Sequence, residues 1–190
     1  PCWTQSTSDV FDWLVNNGGT TSNTTGPSDD ISGGGNYMYI ETSVPRTVGD
    51  SAILTSPDFD ISSLTSAEVS FRSHMYGGSI GTLNVAISGD GGTTFNTVWS
   101  KSGDQGDQWV EEIIQLTGLT NTAMVRFTAT VGVDAGGTIS YWSDIAIDHF
   151  EIRQSATCPQ TSPLTASNVG SSTADISWTA GGTETSWNVE

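Results

Sequence analysis

The chain has 190 residues, 35% of them hydrophobic, with 22 Gly and 6 Pro. Its 5 Lys and Arg face 21 Asp and Glu, a formal net charge of −16, which repels phosphate backbones and anionic lipid and argues against nucleic-acid or unaided membrane binding. No apolar run approaches the roughly 20 residues needed to cross a bilayer, so direct membrane insertion is not expected.

The predicted elements are short. Residues 37–42 and 52–55 are brief β-rich pieces. Residues 68–76 alternate, with Val69, Phe71 and Met75 on one face and Ser70, Arg72 and His74 on the other. Residues 82–88 repeat the pattern through Leu83, Val85 and Ile87. Residues 109–116, 124–131 and 145–152 complete the set. Period-two alternation broken by Gly33-Gly34-Gly35, Gly77-Gly78 and Gly136-Gly137 is the pattern of strands and turns. The low apolar fraction fits strands that turn every second residue inward. The chain reads as all-β.

Residues 88–95, Ser-Gly-Asp-Gly-Gly-Thr-Thr-Phe, fit S-x-D-x-G-x-T-F and resemble the Asp box of sialidase-type propellers. There an Asp caps a tight hairpin and Gly supplies the positive φ. The motif occurs once, so it is read as a hairpin device and not as sialidase activity.

A boundary is expected at residue 154. Residues 155–162 form a polar linker with Pro159, after a first domain at 1–154. Residues 163–190 alternate again over 164–169, 174–179 and 186–189. They resemble the first strands of a fibronectin type III domain, an Ig-like fold, with Trp178 in the place of its core tryptophan. So short a segment is an incomplete sandwich, and the natural chain is expected to continue past Glu190.

Cys2 and Cys158 lie far apart and form no CxxC pair, against a zinc ribbon or thioredoxin-like motif. If the first and last strands of the sandwich are neighbours, the two could close the first domain as a disulfide, which would persist outside the cell. Two unpaired thiols are the alternative.

Several segments, taken together and in order, resemble the MAM domain, named after meprin, the A5 antigen and a receptor phosphatase. They are Asp12-Trp13, Gly26-Pro-Ser-Asp-Asp30, Tyr37-Met-Tyr-Ile-Glu41, Ala52-Ile-Leu-Thr-Ser-Pro57, His74-Met-Tyr-Gly77, Gly81-Thr-Leu-Asn-Val85, Trp99, residues 103–109 and Ser143-Asp-Ile-Ala-Ile-Asp148. The resemblance covers roughly residues 2–153 and is closest to the bacterial branch. It implies a jelly-roll β-sandwich with a recognition or adhesion role. Vertebrate members carry more cysteines, so their disulfide pattern does not transfer. The family ending Asp-Asp-Ile is here Asp148-His149-Phe150.

Ca2+ takes about six to eight oxygens, commonly carboxylates joined by carbonyls of an irregular loop. Residues 29–35, two acids followed by a flexible run, are such a loop. Jelly-roll families hold a structural cation between an early loop and the terminal strand. By that resemblance Asp30 and Asp148 are the foremost ligands, with Asp29, Glu41 and Asp144 in reserve. Turn-capping and solvated acids are the competing reading.

Trp3, Trp13, Trp99, Trp109 and Trp142 serve either the core or sugar stacking. Trp99 and Trp109, beside apolar neighbours, are assigned to the core. Tyr76, Tyr141 and Trp142 flank glycine-rich or polar turns and form the candidate ligand platform, since aromatic faces suit pyranose C–H surfaces.

The chain has two histidines, His74 and His149, and no G-x-S-x-G, H-E-x-x-H or P-loop. His74 is read as a structural hydrogen-bonding residue, and no catalytic residue is expected. Among 21 acids, a glycosidase-like pair is always possible and therefore uninformative. The expectation is a non-catalytic recognition or adhesion module of a larger secreted or cell-surface protein, bacterial in origin. Its partners would be a protein or polysaccharide ligand and neighbouring domains of the same chain. The alternative is a carbohydrate-binding module that targets an attached hydrolase.

Overall fold

The computed structural model describes residues 2–119, 121–137, 140–155 and 165–178. The chain divides into two compact units, Pro1–Gln154 and Ser155–Glu190.

The first unit is a jelly-roll sandwich of two antiparallel sheets. One runs β1 (Thr4–Gln5), β4 (Ser51–Thr55), β10 (Thr122–Thr130), β7 (Thr82–Ser88) and β8 (Asn96–Ser102), with β5 (Phe59–Asp60) on the far end of β10. The other runs β2 (Leu14–Asn16), β3 (Tyr37–Tyr39), β11 (Ile145–Gln154), β6 (Ala67–Met75) and β9 (Trp109–Leu116). Apart from the β2–β3 and β7–β8 pairs, strands adjacent in the sheets are not consecutive in the chain, so the inward rows join remote residues.

Inward rows from both sheets meet in one core. Ala123, Val125, Phe127 and Ala129 of β10 face Val69, Phe71 and Met75 of β6. Phe71 packs edge-on against Phe127 at 5.0 Å and Trp99 at 5.6 Å, a geometry favoured by the ring quadrupole.

Three strands were not anticipated, β1, β2 and β5, and β8 was expected only as a strand around Trp99, without bounds. In β8 the apolar signal is mixed, since Val98 faces solvent while Trp99 and Lys101 are half-buried. Lys101 ion-pairs with buried Glu112 of β9, joining the open edges of the two sheets. The Ser88–Phe95 segment connects β7 to β8 as a hairpin. Asp90 Oδ1 accepts bonds from Ser88 Oγ and Thr94 N, and Gly91 and Gly92 take φ of 69° and 86°.

The outer face of the second sheet also carries a layer. Opposed residues Tyr39, Ala146, His74 and Trp109 form one row across β3, β11, β6 and β9. Tyr37, Tyr39, Ala146 and Trp109 make a second small core there. The segment before β3 lies over it, for Trp109 Nε1 donates to Asp29 O at 3.1 Å.

In the second unit, β12 (Thr165–Ser167) and β13 (Asp175–Ser177) pair antiparallel and are exposed throughout. The strand expected at 186–189 lies outside the described residues. Cys2 is exposed, and Cys158, its expected partner, lies outside the described residues.

Candidate functional site

The early loop and the terminal strand do meet. Asp148 sits where β11 bulges, between Asp148 and Glu151, and its Oδ2 accepts Ile31 N at 3.1 Å while Oδ1 accepts His149 N at 2.6 Å. His149 itself takes φ of 48°, an uncommon conformation for a residue with a side chain. Asp30 turns inward on its own loop. Its Oδ1 accepts Gly34 N at 2.6 Å and Gly35 N at 2.8 Å, and its Oδ2 accepts Ser32 N and the Ser32 hydroxyl. These donors, Gly34 N foremost, hold the Asp30 carboxyl well below the usual carboxylate range. Asp29 Oδ1 accepts Asp30 N at 2.9 Å. In this arrangement Asp30 and Asp148 shape the loop and clasp it to the sheet through N–H groups.

Glu41 and Asp144 are placed differently. Asp144 is fully buried. Its Oδ1 accepts Thr42 N at 3.0 Å and Thr42 Oγ1 at 2.9 Å. Glu41 Oε1 accepts Ser43 N at 3.1 Å. The second oxygen of each, Glu41 Oε2 and Asp144 Oδ2, is sealed from solvent without a hydrogen-bond partner. Burial first, and the Glu41 charge second, push the Asp144 carboxyl up to about 6. Among the described residues no three acids, histidines or cysteines converge on one point.

A polar knot surrounds Asp144. Its N–H donates to Thr25 Oγ1 at 3.0 Å, and Ser143 Oγ accepts Gly81 N and Gly132 N at 3.2 and 3.0 Å. Thr25, Thr42 and Ser143 are all buried. Four segments, at Thr25, Thr42, Gly81 and Gly132, are thereby fastened to the start of β11.

The aromatic candidates lie around the same loops. Tyr141 is 40% exposed and stands edge-on to Trp142 at 5.3 Å. Trp142 is half-buried, with its six-membered ring over Gly78. Tyr76 is half-buried against His74. The structure thus leaves Tyr141 the most open of the three. Trp13 is buried, and Trp3, Trp99 and Trp109 pack partly buried against the cores.

His74 is 2% exposed, with Nε2 3.1 Å from Asp107 Oδ1 and Nδ1 buried without a partner. Burial lowers its affinity for a proton, and Asp107 partly offsets this. A histidine so enclosed positions the 103–108 loop.

Two concavities had no sequence signal. One is an open groove of about 500 Å³ lined by Asp9, Phe11, Asp12, Leu14, Glu41 and Arg46 among others. The Arg46 guanidinium lies over the Phe11 ring, 4.6 Å from its centroid. The second, about 340 Å³, is bounded by Trp3, Tyr37, Met38, His149 and Phe150. Each gathers residues from separated strands, so no local pattern announces it.

Residues 2–159 match the family model described as MAM domain, meprin/A5/mu. MAM domain-containing glycosylphosphatidylinositol anchor protein 2 of Mus musculus is 37% identical over 175 residues, 85% of this chain and 18% of that protein. The corresponding protein 1 of Homo sapiens is 39% identical over 170 residues, 85% and 17% respectively. Neuropilin-1 of Xenopus laevis is 34% identical over 154 residues, 80% and 16%. The chain spans less than a fifth of each of these relatives.

Among solved structures, the K1 cleaved adhesin domain of Lys-gingipain from Porphyromonas gingivalis W83 is similar in fold. It has a TM-score of 0.56 at 16% identity, covering 81% of this chain and 91% of that one. TmCBM61 in complex with beta-1,4-galactotriose gives 0.50 at 13% identity, covering 80% and 87%. With the family model matched across both sheets of the sandwich, the chain belongs to the MAM domain family.

Proposed function

We propose that the first unit is a non-catalytic recognition and adhesion module of a larger secreted or cell-surface protein. The observation that carries this reading is the family match over residues 2–159. The relatives' names support the setting, since they include glycosylphosphatidylinositol anchor proteins and a neuropilin. The polar groups fit it too: buried Asp30, Ser143 and His74 and half-buried Asp148 each hold a loop in place. A bacterial source and a fibronectin type III-like identity for the second unit belong to the same proposal, on the sequence resemblance alone.

Carbohydrate binding is the second reading. It is favoured by the Tyr141–Trp142 pair beside polar loops and by a fold shared with a module solved with a galactotriose. A glycan array and a panel of extracellular proteins, each probed with wild type and with Tyr141→Ala/Trp142→Ala, separate the two. Protein binding that survives the double substitution supports adhesion. Sugar binding lost in the double variant selects the carbohydrate reading. Multiple turnover of any glycan by the purified chain overturns both.

A further inference from the structure

The acids of the sandwich are unevenly shared between its sheets. Strands β6, β9 and β11 of the second sheet carry Glu68, Glu111, Glu112, Asp148 and Glu151. Strands β1, β4, β10, β7 and β8 of the first contain no Asp or Glu. Leu54, Val125 and Phe127 face the core, so the alternate residues of β4 and β10 form the outer face. One row across it reads Thr4, Thr55, Arg126, Ala86 and Thr97. The next reads Ile53, Thr128, Asn84 and Ser100. In a chain of net charge −16, these rows make a hydroxyl-rich surface whose one charge is positive.

Arg126 is held in place and left open. Its guanidinium lies 3.6 Å from the centroid of the Phe95 ring, and its Nε donates to Thr55 Oγ1 at 3.3 Å. Among the described residues it forms no ion pair; the pairs found there use Arg72, His74, Lys101 and Arg153. The acids at the margins, Asp9 and Asp90, turn their oxygens to Ile53 N and to Ser88 and Thr94. Beside Arg126 runs an open groove of about 460 Å³. The 4–8 segment and Thr55 line it with hydroxyls, and Ile53 and Met124 add apolar ground. A guanidinium fixed in this way takes a carboxylate through its two terminal nitrogens. Hydroxyls beside apolar side chains match a sugar ring, which presents both O–H groups and C–H surfaces.

We propose that the outer face of the first sheet binds an acidic polysaccharide, with a uronate carboxylate on the Arg126 guanidinium and the sugar ring in the groove across β1, β4 and β10. An acidic peptide would satisfy the guanidinium but leave the hydroxyl rows without a role. The inference rests on the carbohydrate reading for the class of ligand, and it uses a face that shares no residue with the Tyr141–Trp142 pair. The carboxylates of the second sheet stand behind a core roughly 10 Å thick. That is about one Debye length at 0.1 M salt, so their repulsion reaches this face weakened.

The test uses the 190-residue chain at about 0.15 M NaCl, with EDTA present so that no divalent ion bridges protein and polymer. Calorimetric titration with polygalacturonate, alginate and hyaluronate is expected to show binding of at least one. The carboxyl-reduced form of that polymer should bind at least about tenfold more weakly. Arg126→Gln should weaken binding of the acidic polymer by a similar factor, while Tyr141→Ala/Trp142→Ala leaves it unchanged. Should Arg126→Gln fail to fold, Thr4→Asp is read alone; it sets a carboxylate in the same row on an exposed strand and should also weaken binding. Binding of none of the three polymers, or equal binding of the reduced form, overturns the proposal. So does binding retained in a folded Arg126→Gln or Thr4→Asp variant, binding lost only in the Tyr141/Trp142 variant, or polyglutamate bound as tightly. Neutral glycans bound through Tyr141 and Trp142 would in that event leave the carbohydrate reading standing without this site.

Discussion

His74 shows how one side chain's surroundings set its chemistry. It sits in the outer-face row between Ala146 and Trp109, almost wholly enclosed. Burial depresses its protonation below the ordinary value of 6.5. Above that value the imidazole is neutral folded and unfolded alike. As pH falls through it, the unfolded chain takes up the proton first, so stability present at higher pH is lost. The stability of wild type relative to His74→Gln should therefore decline between about pH 7 and about pH 5, followed by urea unfolding. A difference that stays flat would mean that the fold binds the proton as readily as the unfolded chain does.

At the scale of elements, the sandwich depends on two close approaches, one of backbone and one of charge. Gly81 and Gly132 pass so near each other that a Cβ on Gly81 would overlap the Thr130 carbonyl and one on Gly132 the Ser79 carbonyl. Neither obstacle is a flexible side-chain end, so relief requires strands to move. Gly81→Ala is expected to cost about 3 kcal/mol or more, read as a lowered urea midpoint; a neutral result would show that β7 and β10 can part cheaply. The charge approach is Lys101 with Glu112, which also accepts from Ser73 Oγ at 2.9 Å. Removing one partner leaves the other half-enclosed. Glu112→Ala should cost about 2 kcal/mol, whereas Lys101→Met with Glu112→Leu should recover most of it. A double variant no better than the single would assign the pair a net stabilising role.

At the scale of the whole molecule, the net charge of −16 acts on the folded state as self-repulsion. The basic residues are already engaged: Arg72, Lys101 and Arg153 in ion pairs, Arg46 and Arg126 over aromatic rings. Screening should therefore stabilise the protein. Its Tm is expected to rise as NaCl increases from near zero to about 0.15 M, where the Debye length is about 8 Å. A falling Tm would mean that these ion pairs outweigh the general repulsion.

The strand-forming pattern of β6, β7, β9 and β10 was legible in the chain because period two is a local property. A residue's face follows from its neighbours in sequence. The hairpin at Ser88–Phe95 was equally local, since Asp90 caps donors within four residues of itself. The family could be read for a related reason, as ordered short segments survive where overall identity does not. Of β8 only the strand around Trp99 was legible, because the charge at its other inward position, Lys101, is acceptable there only through Glu112 on another sheet.

The acids divide along the same line. The sequence placed Asp30 and Asp148 in an early loop and a last strand, and the fold brings those elements together. Only the tertiary structure decided that backbone N–H groups occupy those carboxylates, while Glu41 and Asp144 keep buried oxygens to themselves. Alternation and turn chemistry are written within a few residues of chain, so they could be read directly. Which carboxylate meets a donor depends on strands more than a hundred residues apart pairing in one register, and no local pattern contains that.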